Sequence, residues 1–63
     1  MRLTLNGKDL EAERDFIWTD AQHGPHNWML RVKLKPGDEI RWYGDDGTMQ
    51  KFIVNSGGAI TLG

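Results

Sequence analysis

The chain has no cysteine, a single serine and only two prolines, and none of its apolar runs exceeds three residues. Without cysteine there are no disulfides, no thiolate metal ligands and no thiol nucleophile. The lack also fits a reducing compartment. Runs such as Phe52-Ile53-Val54 fall far short of the roughly 18 apolar residues of a membrane helix. The opening Met1-Arg2-Leu3-Thr4-Leu5 lacks the apolar centre of a signal peptide. Neither charge sign dominates: eight basic residues against nine acidic ones leave a net charge of −1. No bulk field therefore draws nucleic acid or an anionic membrane. These absences together predict a cytoplasmic protein with no membrane association.

What the chain does have is tryptophan. Trp18, Trp28 and Trp42 serve only 63 residues, and each indole can bury on the order of 200 Å². A chain of this length forms one domain, residues 1–63, that hides only about 60% of its unfolded surface. Small domains compensate with disulfides, metals or oligomers. Trp18 and Trp28 bracket a polar segment, Thr19 to Asn27, which carries both histidines, His23 and His26. In small domains function tends to sit on loops held by a rigid frame.

Turn signals are dense. Asn6-Gly7 is a hairpin dipeptide, because both residues tolerate positive φ. Lys35-Pro36-Gly37-Asp38 reads as a type II turn, with proline presetting φ and glycine supplying the positive φ that follows. Gly44-Asp45-Asp46-Gly47 and Ser56-Gly57-Gly58 are further turn clusters. The phrase Leu34 to Ile40 resembles a strand-turn-strand phrase of the cupredoxins. Their copper site needs a cysteine that this chain lacks, so the likeness is one of turn chemistry.

Between the turns the sequence alternates as half-buried strands do. Leu3 and Leu5 alternate with Arg2 and Thr4. Leu30, Val32 and Leu34 alternate with Arg31, Lys33 and Lys35. Ile40 and Trp42 alternate with Arg41 and Tyr43. Residues 52–54 and 59–62 supply the last two strands. Asp9 to Arg14 is rich in helix formers and has a short helix as its alternative. As a strand, however, it places Leu10, Ala12, Phe16 and Trp18 on one face and Asp9, Glu11, Glu13 and Asp15 on the other. Antiparallel pairing of Trp18 with Trp28 then sets Phe16 against Leu30 and Ala12 against Leu34. On the opposite face it matches Asp15 with Arg31, Glu13 with Lys33 and Glu11 with Lys35, each pair worth about 0.2–1 kcal/mol. A two-residue slip keeps the faces sorted and puts Phe16 opposite Trp28. The reading is an all-β, antiparallel meander of five to six strands, closed into an SH3-like barrel that removes its edges. An open sheet completed by a second subunit is the alternative.

Candidate chemistry is sparse. His23-Gly24-Pro25-His26, with Asp20, offers at most a partial ligand set for a metal, so neither metal nor cofactor is expected. Asp15, Asp20, His23 and His26 have no spacing that demands acid–base work. Ser56 lies in a glycine turn without an adjacent base. Asp45-Asp46 lack the further oxygen ligands of a calcium loop. A chain of this size also has little room for the roughly 300 Å³ or more of a small-molecule pocket, and no enzyme is expected. Arg14 falls by parity on the apolar face between Ala12 and Phe16, where it must snorkel or anchor a partner. Arginine and tryptophan are enriched at interface hot spots.

The expected function is therefore a non-catalytic protein–protein binding module. Arg14, Trp18, His23, His26, Trp28 and Tyr43 form its contact surface, with Trp28 as the anchor. An accessory or inhibitor protein of a phage or mobile element would have this size, and a homodimer is compatible with it. The second expectation is a single-stranded nucleic-acid-binding barrel that uses Arg31, Lys33, Arg41, Tyr43 and Lys51, because aromatic and basic side chains together make single-strand grooves. The acidic residues beside that face weigh against it.

Overall fold

Turn chemistry sets the path of the chain. Asn6 and Gly7 adopt φ of 51° and 86°, the pattern of a type I′ turn. They join strand β1 (Arg2–Leu5) to β2 (Lys8–Asp9), with Leu5 opposite Lys8. Gly37 takes φ of 91° and the Asp38 amide donates to Lys35 O at 3.1 Å, which closes the expected type II turn. This computed structural model describes all 63 residues and holds seven strands and no helix. The remaining strands are β3 (Phe16–Trp18), β4 (Trp28–Leu30), β5 (Glu39–Tyr43), β6 (Met49–Val54) and β7 (Ile60–Leu62).

All strand pairings are antiparallel. They form a five-stranded sheet in the order β2-β1-β5-β6-β7 and a two-stranded sheet of β3 and β4. Side-chain alternation divides the large sheet into two faces. Its inner face carries Leu3, Ile40, Trp42, Phe52 and Val54, all buried, and Phe16 of β3 joins them in the core. Leu3, Ile40 and Val54 are almost fully buried, and each contributes about 1.5–3 kcal/mol of transfer free energy. Trp18, Trp28, Leu30 and Leu34 pack half-buried against this cluster. The small sheet is thus a second layer laid over the inner face.

One polar corner ties the layers of turns together. Asp38, only 4% exposed, accepts hydrogen bonds from Asn6 Nδ2 at 3.0 Å and the Lys35 amide at 2.9 Å. Asn6 Oδ1 in turn accepts from the Glu39 amide at 2.9 Å, and the Asn6 amide donates to Glu39 O at 2.8 Å. The Asn6 side chain first, and the Lys35 amide second, hold the Asp38 carboxyl below the ordinary aspartate range. A buried carboxylate with partners of this kind is fixed in place, so the β1–β2 hairpin and the turn before β5 move as one unit.

The antiparallel all-β architecture matches the sequence reading, and so does the tryptophan register. Trp18 faces Trp28 and Phe16 faces Leu30, without the two-residue slip. Three expectations are corrected. The large sheet does not close into a barrel: β2 and β7 remain as its edges, and the β3–β4 layer, rather than closure, covers the inner face. The long strand expected over residues 9–18 is broken. Only Lys8–Asp9 and Phe16–Trp18 are extended, and a tight turn intervenes, in which the Asp15 amide donates to Glu11 O at 2.8 Å and Glu13 sits at φ 71°. That turn forms neither the strand nor the short helix. Asp15 explains it, because its carboxylate accepts the Glu11 amide at 2.8 Å and so caps its own loop.

The acid–base ladder fails for the same reason. The Arg31 amide still donates to Asp15 O at 2.8 Å, but the Asp15 and Glu11 carboxylates are engaged elsewhere, and Glu13 sits at the left-handed turn position rather than in a strand. Asp15 pairs with Arg14 at 3.1 Å and Glu11 with Arg14 at 3.0 Å, while Lys35 reaches Asp38 at 3.5 Å. Local partners a few residues away need less ordering of the chain than partners across a ladder.

Candidate functional site

The β3–β4 layer leaves part of the inner face open on the β7 side. There His26, Trp28, Phe52, Ile60 and Leu62 line a groove of about 340 Å³. Its floor is Phe52, which belongs to the core. Trp28 stands edge-on to Phe52 with ring centroids 5.3 Å apart, and His26 does the same at 5.7 Å. Such T-shaped pairs are electrostatically favoured over face-to-face stacks. The rim is β7: Ile60 is 38% exposed and Leu62 63%.

The wall formed by the segment between the tryptophans is built before any ligand arrives. Thr19 donates to Asn27 O at 2.9 Å and extends the β3–β4 ladder by one step. Within the loop the Gln22 amide donates to Asp20 Oδ1 at 2.7 Å and the Asn27 amide to Gly24 O at 3.1 Å. The Trp28 indole N–H donates to Pro25 O at 2.6 Å, and the Trp42 indole N–H donates to His23 O at 3.0 Å. Both indoles thus find acceptors on this loop, which locks its path and fixes the ring of Trp28 against the groove floor.

The six residues expected to form one contact surface separate into four places. Trp28 and His26 share the groove. Trp18 and His23 stack on each other, with centroids 4.6 Å apart and planes 9° from parallel, and neither lines the groove. Arg14 lies in the turn after β2, exposed and paired with Glu11 and Asp15. The turn removes the alternation that would have set it on the apolar face, and its side chain stands exposed instead of snorkelling. The Asp15 carboxylate, first by hydrogen bond and then by charge, raises the Arg14 pKa above its ordinary value. Tyr43 lies on the outer face of the large sheet with the Arg2 guanidinium 4.3 Å above its ring. The two imidazoles lean on different aromatic partners, Trp18 and Phe52, and no three ligand-type side chains converge anywhere.

The basic residues divide as well. Register places Arg2, Tyr43 and Met49 in one row of the outer face, and Thr4, Arg41 and Lys51 in the next. Arg31 and Lys33 follow β4 in the other layer. Arg41 donates to Glu39 at 2.6 Å, and Arg2 pairs with Asp9. Tyr43 and then Glu39 raise the Arg41 pKa. Two of the three outer-face cations are thus already neutralised. Thr4 Oγ1, buried in the same row, has no hydrogen-bond partner, and nothing in the structure accounts for it.

Sequence reading missed Phe52, Ile60 and Leu62 as site residues. The signal was present in β7: residues 59–63, Ala-Ile-Thr-Leu-Gly, alternate in polarity and carry no charge and no proline, the composition of an unguarded edge. Chemically the groove offers apolar contact and one titratable side chain, His26. No helix is long and apolar enough to cross a membrane. Fold and groove define a small two-layer antiparallel β protein with an open apolar cleft. No family model, no curated protein and no solved structure matches the chain.

Proposed function

We propose that this protein is a non-catalytic protein-binding module that takes up an extended apolar segment along β7. The observation that carries this reading is the coincidence of the groove with the β7 edge. Gly63 donates to Lys51 O at 3.0 Å and Asn55 to Ala59 O at 2.8 Å. In an antiparallel pair hydrogen-bonded positions alternate, so Thr61 opposite Ile53 is the bonded position between them. The amides and carbonyls of Ile60 and Leu62 therefore point away from β6. The two residues whose side chains line the groove also present the free backbone groups of the edge. A strand added there gains main-chain hydrogen bonds, and its inward-facing side chains fall beside the groove, which is the logic of strand addition. Trp28 and His26 form the wall against which they pack.

The test is a titration of the isotope-labelled protein with a short peptide of alternating valine and threonine, against the same composition scrambled. Shifts at the Ile60 and Leu62 amides and the Trp28 indole, seen with the alternating peptide alone, support the reading. Equal responses to both peptides, or none, overturn it. A second reading rests on the outer face, where Arg2 and Tyr43 share one row and Arg41 and Lys51 the next: single-stranded nucleic acid would stack on the Tyr43 ring beside Arg2 and pair first with Lys51, the one of these cations without an acidic partner. Salt-dependent shifts at Tyr43 and Lys51 on adding oligothymidine would support it, and their absence at low salt dismisses it.

A further inference from the structure

We infer that the segment received at β7 is β7 of a second copy, so that two sheets join across a twofold axis at Thr61. This rests on the strand-addition reading above and names its partner. In an antiparallel pairing that sets Ile60 of each copy against Leu62 of the other, both outward-facing residues of both strands exchange N–H···O bonds, four in all. Thr61 then meets its own counterpart on the axis as the non-bonded pair, and threonine pairs are favourable across strands. The two registers shifted by two residues do worse. The one centred on Ile60 would pair Leu62 with Gly58, which has φ of 86° and donates its amide to Asn55 O at 3.0 Å, outside the strand. The one centred on Leu62 makes only the two bonds of the Leu62 pair within residues 60–62.

The side chains agree with the backbone. On the inner face the row Ile40, Phe52, Leu62 would continue into Ile60 of the other copy, joining the two grooves into one apolar floor. No charged residue lies within residues 59–63, so self-pairing brings no like charges together along the strand. A small domain that leaves Ile60 and Leu62 exposed gains the core that its length denies it. Standard stable interfaces bury about 800 Å² per partner. Against a total surface of 4218 Å² that is a large share for strands of three residues, so the association is reversible and concentration-dependent.

Thr61 offers the test, because it is exposed and the one hydrogen bond of its side chain is to Ile53 O. Sedimentation velocity over a concentration series compares the unaltered chain, Thr61→Lys, Thr61→Glu and an equimolar mixture of the two variants, with amide spectra confirming that each is folded. The expected result is a dimer for the unaltered chain and a dissociation constant raised tenfold or more in each variant, since like charges then face each other on the axis. The mixture should recover the dimer through opposite charges. A chain that stays monomeric throughout overturns the twofold, as does a dimer untouched by either variant. If the chain is monomeric yet the alternating peptide still shifts Ile60 and Leu62, strand addition stands and the second copy falls. If the peptide is also silent, both fall.

Discussion

The two edges of the large sheet are built on opposite plans. β2 is two residues long, both charged and both exposed, and Asp9 is held by Arg2 across the hairpin. Its turn is fastened from behind by Asn6 and Asp38. β7 has three residues, none charged, and its two aliphatic side chains lean over a groove. Exposed edges invite pairing, and charge and shortness are the usual protections. One edge of this sheet carries both protections, and the other carries neither charge nor covering. The contrast shows that exposure of an edge is not itself a signal. What distinguishes β7 is that its free backbone groups and its apolar side chains belong to the same two residues.

The hardest break in this contrast is at Phe52, which serves the core and the groove alike. Truncating a buried phenylalanine costs about 3–5 kcal/mol, comparable to the whole stability of a domain this small. Phe52→Ala should therefore lose its near-ultraviolet tryptophan dichroism in water. Leu62→Ala, at the exposed rim, should change the urea midpoint by no more than about 0.5 kcal/mol equivalent. If both unfold the chain, the rim is core and the edge is not free.

At the guarded edge, Asn6→Ala should cost about 2 kcal/mol: about 1 for a side chain at positive φ and about 1 for lost hydrogen bonds. Asn6→Gly keeps the backbone freedom and should cost about half as much. Equal losses in urea unfolding would show that the bonds to Asp38 and Glu39, and not the turn conformation, secure this edge.

Acid should act on the same corner. The Asp38 carboxyl lies below its ordinary value, as do Asp15, through Arg14 and the Glu11 amide, and Asp46, through Thr48. A depressed carboxyl stabilises the fold fully above the unfolded value of about 3.9. That contribution is lost as pH falls through the folded value. Residues 59–63 contain no titratable side chain. Protection against hydrogen exchange, taken relative to the intrinsic rate at each pH, should therefore fall at pH 3 around Asn6 and Glu39 more than at Thr61. A uniform fall would mean that the two edges unfold together.

Legibility in the sequence followed the range of the interactions. The turns at Asn6-Gly7 and Lys35-Pro36-Gly37-Asp38 were readable because a few local backbone angles define them. Alternation alone left the two-residue slip open and did not choose Trp28 as the partner of Trp18. Which residues beside them face inward was readable, because a one-residue slip would put core residues on the wet face. The ladder of Glu11, Glu13 and Asp15 against Lys35, Lys33 and Arg31 was not, since Asp15 can satisfy Arg14 and the Glu11 amide without any second strand. Barrel closure was not legible either: strand count does not reveal that Phe16–Leu30 pairing forms a separate layer. At the site, His26 and Trp28 were singled out by their loop. Phe52, Ile60 and Leu62 were seen only as strands, because a groove is a relation between layers.

The gentlest perturbation is also the most direct exchange of the two edges. Lys8→Val with Asp9→Thr removes the charges of β2 while keeping residues suited to a strand. The Arg2–Asp9 pair that is lost is exposed on both sides, and such pairs are worth at most about 1 kcal/mol. Gains in strand propensity offset part of that, so monomer stability should move by about 0.5 kcal/mol or less. Association should change much more than stability. With two unguarded edges each copy offers two pairing surfaces that no single twofold axis can close, and open assembly follows. Light scattering should then report growth beyond a dimer, and adding Thr61→Lys to the same chain should limit it to pairs joined through β2. If the doubly neutral edge stays inert, charge is not what guards β2, and its two-residue length alone is sufficient.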